Sequence, residues 1–183
     1  MSLHTFVLAC LLAVPAAAAS AADKSITLDT GQVFTINWGA DWVVGANPPA
    51  SPPGTITING PDARSWRIAV GPLPPNPSLA ADPGNLRMYV RIMARGMENA
   101  GIQVDPEHRP IDGRAAHGLY VKAHDGHQKT KAEIRKAGGD FTDTYIGALS
   151  IDGRPYLFEV SWIAGGESAA NVALAAIKTI RIR

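Results

Sequence analysis

The chain has 183 residues, 46% of them hydrophobic, and carries 17 basic against 16 acidic side chains for a formal charge of +1. That balance excludes the broad basic surface of a general nucleic-acid binder, and the length suits one ordinary domain with a real core. Cys10 is the only cysteine, which excludes a disulfide framework within the chain.

Residues 1–22 read as a secretory signal peptide. Phe6–Val14 is an unbroken apolar run, Ala16 to Ala22 are all small, and no acidic residue precedes Asp23. The run falls short of the roughly 20 apolar residues a membrane-spanning helix needs. Ala16-Ala17-Ala18 and Ala19-Ser20-Ala21 fit the small-residue pattern of a cleavage site, which puts the cut near Ala22. Val7-Leu8-Ala9 is a poor lipobox before Cys10. The expected product is a periplasmic or secreted domain over 23–183, without thiol, disulfide or transmembrane segment.

Short apolar segments follow at Ile26–Leu28, Val33–Ile36 and Trp42–Val44. The Pro-rich stretch Asn47 to Pro53 cannot supply ladder donors and is expected outside a sheet. Thr55–Ile58 and Trp66–Val70 alternate with period two around the turn residues Asn59-Gly60-Pro61-Asp62, which predicts a hairpin. A second proline cluster, Pro72 to Pro77, then leads away from it. The first helix is predicted over about Asn85 to Ala100, capped by Asn85 and stopped by Gly101. Leu86, Val90, Met93 and Met97 make its apolar stripe. Gly96 weakens its middle by about 1 kcal/mol relative to alanine.

Strands are predicted at about Arg109–Ile111, Ala115–Ala123 and Thr142–Ile151. Asp152-Gly153 suits a type I′ turn joining Tyr145–Ile151 to Tyr156–Trp162. After Gly165-Gly166, Ser168 is the expected cap of a last helix through about Ile180, with Ala170, Ala173, Leu174 and Ile177 on its buried face. This order predicts an α+β fold, a mainly antiparallel sheet flanked by helices.

The layout resembles the PsbP-like superfamily. The residues that carry the resemblance are Phe34-Thr35-Ile36 leading into Trp42, the hairpin ending in Trp66–Val70, and the long helix before a Gly-rich joint. The hairpin Tyr145–Trp162 and the closing helix with Lys178–Ile182 complete it. The resemblance implies an α/β/α sandwich. It also implies a role among assembly factors, adaptors, inhibitors or subunits, since few members are enzymes; it transfers no ligand residues.

The remaining chemistry offers candidate sites. His117, His124 and His127, with Asp125 between the last two, are the metal candidates, since imidazole binds Zn²⁺ or Cu²⁺. The simpler reading is exposed or hydrogen-bonded histidines, and no cofactor is assigned. The sequence has no G-x-S-x-G elbow. Asp140, Asp143, Asp152 and Glu159 form a carboxylate pair only if the fold joins two of them. Arg87, Arg91 and Arg95 stand at i, i+4, i+8, on one helical face. They could dock an acidic partner, or form a solvated face. The basic stretch Lys122–Lys136, with Lys129 and Lys131, could extend that surface. Trp38, Trp42, Trp66 and Trp162 are expected in the core.

The expected function is therefore a non-catalytic exported module that binds a protein partner in the cell envelope as an accessory, adaptor or inhibitor. A small-ligand or metal carrier using the sheet face is the alternative, and a hydrolase of envelope material stands third.

Overall fold

The computed structural model describes residues 22–45, 47, 51–61, 66–73, 82–127 and 140–183. Residues 1–21, Asp62 of the predicted hairpin turn, Pro74 to Pro77, Lys129 and Lys131 lie outside the described residues, as do residues 48–50 of the first Pro-rich stretch.

In chain order come β1 (Ala22–Thr27), β2 (Val33–Trp38), β3 (Val43–Gly45), β4 (Ile56–Asn59) and β5 (Trp66–Pro72). Helix α1 (Pro83–Asn99) is followed by β6 (Gln103–Val104), β7 (Arg109–Asp112), β8 (Ala116–His124), β9 (Asp143–Ile151) and β10 (Arg154–Trp162). Helix α2 (Glu167–Ile177) and β11 (Arg181–Ile182) close the chain. Eight strands form one antiparallel sheet in the order β3-β4-β5-β10-β9-β8-β6, with β7 also paired to β8. A second sheet, β1-β2-β11, joins the two ends of the described chain.

Period-two alternation decides what each face of the large sheet meets. On one face, Ile68, Val70, Leu149, Ile151, Phe158, Val160 and Trp162 join Phe34, Ile36 and Trp38 of the small sheet and the buried side of α2 in one core. Ala170, Ala173 and Ala176 are buried there with Leu174 and Ile177. Their small side chains let the α2 backbone lie close to the sheet. On the other face, Val121, Ile146 and Ala148 meet Leu86 and Val90 of α1 in a much smaller cluster, flanked by Met93 and Met97. The layers are thus helix, sheet, and then a mixed layer of helix and small sheet.

All four tryptophans are buried, as expected. Trp42 meets Trp66 edge-on at 4.8 Å between centroids, and Trp162 lies 4.5 Å from the Tyr145 ring. The predicted Asp-Gly turn is present, with Asp152 at φ 49° and Gly153 at φ 76°, and it sets the register Ile151 to Arg154.

Several local details differ from expectation. The cap of α1 is Asp82, whose carboxylate accepts from the Asn85 amide at 2.9 Å, so Asn85 lies within the first turn. Asp82 wins because Pro83 needs no amide partner at the first helical position. The C-terminal end behaves as predicted: Gly101 has φ +83°, its amide bonds to Glu98, and Ile102 bonds back to Met97. That is a Schellman closure. Helix α2 starts one residue ahead of Ser168 and has no side-chain cap; Gly166 holds the position. It ends at Ile177, because the chain turns at Lys178 to bring β11 onto β2. Pro72 remains in the ladder opposite Tyr156, tolerated because β4 stops pairing at Val70 and leaves the other side free.

Candidate functional site

The outer side of α1 carries the clearest unspent chemistry. With about 3.6 residues per turn, burying Leu86 and Val90 turns Arg87, Arg91 and Arg95 outward, and all three are exposed. Beside them Met88 and Ile92 are also exposed, Ile92 at 60% of its full surface. None of the three arginines makes an ion pair or hydrogen bond with a described residue. Several other cations are engaged: Lys122 with Glu167 at 2.8 Å, Arg109 with Asp105 at 2.9 Å, Arg67 with Glu159 at 3.2 Å, and Arg181 with Asp23. A basic row with two apolar side chains beside it can dock an acidic surface and cover apolar area in the same contact.

Lys122 opens the basic stretch of the sequence but does not add to this face. Its ammonium sits 5.6 Å from the centre of the Trp162 ring and bonds Glu167 in the first turn of α2. That hydrogen bond holds the Glu167 carboxyl below its ordinary range. Nearby, burial pushes the Tyr145 hydroxyl up to about 12, and it donates to Asn171 at 3.1 Å.

The three histidines do not come together. Leu119 and Val121, at the same parity as His117, pack under α1, whereas Ala116 and Tyr120, at the parity of His124, belong to the opposite core. His117 and His124 therefore project from opposite faces of β8. His124 Nδ1 is 3.0 Å from Asp143, and His127 Nδ1 is 3.0 Å from Asp125. Among the described residues no group of three or more histidine, cysteine or acidic side chains is arranged to hold a metal.

A polar cluster went unread in the sequence. Arg67 of β5, Glu159 and Ser161 of β10 and Thr144 of β9 meet on the α1 side of the sheet, beyond the C-terminal end of the helix. Glu159 accepts from Arg67 and from Ser161, and the Ser161 and Thr144 hydroxyls are 3.2 Å apart. Asp143 and Glu159 line the same pocket, about 110 Å³ in volume, while Asp152 sits in the β9–β10 turn. The available signal was parity: Arg67 and Glu159 alternate with apolar residues in two paired strands, which places them together on the face away from the tryptophans.

No protein-family model matches this sequence, and no curated protein does. Among solved structures the chain is similar to the solution structure of cyanobacterial PsbP (CyanoP) from Synechocystis sp. PCC 6803. The two share 12% identity with a TM-score of 0.50, over 90% of this chain and 94% of that one. The fold is PsbP-like. A crystal structure from Bacteroides thetaiotaomicron VPI-5482 also matches, at 16% identity and a TM-score of 0.49, over 82% of this chain but only 45% of that chain. At these identities the likeness is one of fold, and the PsbP-like frame by itself assigns no site residue. No helix among the described residues is long and apolar enough to cross a membrane.

Proposed function

We propose that this PsbP-like domain is an exported, non-catalytic protein-binding module, acting as an accessory, adaptor or inhibitor of an envelope protein. The observation that carries the reading is the outer face of α1, where Arg87, Arg91 and Arg95 are exposed and unpaired among the described residues beside Met88 and Ile92. Three like charges on successive turns repel by about 0.2–0.5 kcal/mol per pair in the free protein. An acidic partner would relieve that repulsion. The leader-like residues 1–22 support export, and the PsbP-like fold is compatible with a binding role.

The test starts from the tagged chain recovered from its native envelope under mild crosslinking, followed by rebinding of the recovered partner in purified form. Reversing Arg87, Arg91 and Arg95 to Glu is expected to weaken that rebinding by at least about 10-fold, in line with loss of several interfacial charges. The affinity should also fall with salt. Surface substitutions of this kind leave stability within about 0.5 kcal/mol. Unchanged affinity in a folded triple variant would remove this face from the reading.

A further inference from the structure

Helix α1 covers β8 and β9, while part of the same sheet face over β5 and β10 is left open by the described residues. There, small residues stand opposite each other: Ala69 and Gly71 on the floor, Gly96 on the helix. The result is a groove of about 450 Å³, walled by Met93 and Met97 and floored by Leu157. That volume falls within the roughly 300–1,000 Å³ of small-molecule sites. Methionine walls adapt to irregular apolar shapes. A Cβ added at Gly96 would meet no described atom within 4 Å, so the helix here faces open space.

The groove is apolar along its length and has one charged lining residue among those described, Glu159 at one end. Both hydrogen bonds to this carboxylate, from Arg67 and from Ser161, land on Oε1. Oε2 accepts none from a described residue, and the side chain is 38% exposed. An acceptor oxygen is thus held in place by its sister atom at the mouth of an apolar slot. A neutral or cationic donor gains a charge-assisted hydrogen bond there, whereas a carboxylate head meets like charge.

We infer that the groove between α1 and the β5–β10 floor binds a small apolar molecule carrying one hydrogen-bond-donating head, an amine or a hydroxyl, received by Glu159 Oε2. The site is separate from the arginine face and does not depend on it.

The test uses the full chain and two fluorescent probes of equal shape, 1-aminoanthracene and anthracene-1-carboxylate. The amine is expected to bind saturably with one site per chain and at least about 10-fold tighter than the carboxylate, in keeping with a charge-assisted bond on one side and like charge on the other. Gly96→Phe should fill the groove from the helix and weaken the amine at least about 10-fold, since a well-filled pocket leaves a ligand no room. Ala69→Leu fills it from the floor and should do the same, so the result does not hang on one variant folding. Glu159→Gln should narrow the gap between the two probes. The triple arginine reversal should leave probe affinity unchanged, which separates failure here from failure of the partner reading. Absence of saturable binding would overturn the assignment. So would full affinity in a folded Gly96→Phe or Ala69→Leu variant, or equal affinity of the wild-type chain for both probes.

Discussion

The two faces of the large sheet are built to different standards. One is sealed by a second sheet and an alanine-rich helix, with Trp38, Trp42, Trp66 and Trp162 interlocked in a continuous core. Among the described residues, the other is roofed by a single helix over a cluster of five buried residues, with its neighbouring floor left open. Stability therefore rests mainly on the first face, while the second keeps the exposed charge, the half-buried methionines and the groove. A dense core tolerates little rearrangement, so binding surfaces belong where packing is sparse.

The largest effects should expose this asymmetry directly. Trp162→Ala, at a side chain only 1% exposed, is expected to cost about 4 kcal/mol in urea unfolding, within the usual range for truncating a buried tryptophan. Leu86→Ala on the α1 side should cost about 2–3 kcal/mol, at the lower end for leucine, because its small cluster can relax. Equal losses at the two sites would break the comparison.

A smaller pair of variants separates the two helices. Asp82→Ala removes the cap of α1 and should cost about 1 kcal/mol, whereas Ser168→Ala, inside the first turn of α2, should cost almost nothing. Matching losses in thermal unfolding would mean that Ser168 caps α2 after all.

The smallest effect near neutral pH belongs to Tyr145. Burial in the sealed core keeps its hydroxyl protonated up to about 12, while in the unfolded chain a tyrosine ionises near 10. The folded state holds the proton longer, so this contribution is complete below about pH 10 and is lost as pH rises towards about 12. Tyr145→Phe should therefore make the alkaline fall in the urea midpoint shallower. An unchanged slope would show that Tyr145 is solvated in the native protein.

The sealed face was largely readable from the sequence because its signals are local. Period-two runs at Trp66–Val70 and Tyr156–Trp162, the Asp152-Gly153 turn and the α2 stripe each state their own geometry. Strands β6 and β11 escaped notice because two residues carry no period, and their pairings are set by the returning chain. The cap of α1 was misplaced by three residues, since Asp82 and Asn85 are both good capping residues and only the backbone entry through Pro83 decides between them. The groove was invisible for a different reason. Gly96 reads from sequence as a weak point in a helix, and only the tertiary arrangement shows which surface it leaves uncovered. The histidines show the same limit: seven residues along β8 fix opposite faces, but the Asp143 and Asp125 partners come from register and turn geometry.

The pairing of β2 with β11 bears on the timing of folding. Val33 and Arg183 exchange backbone bonds at 2.8 and 3.0 Å, and the nearby Arg181–Asp23 pair links positions 158 apart. The β9–β10 hairpin can close within microseconds from its own turn, but the small sheet must wait for the far end of the chain to return. Contacts of such long range carry a loop-closure cost and slow the search. Until they form, Phe34, Ile36 and Trp38 lack the strand that holds their sheet in place. In a chain still emerging, or held extended, Phe34 and Trp38 therefore stay exposed longer than the residues of the β9–β10 hairpin.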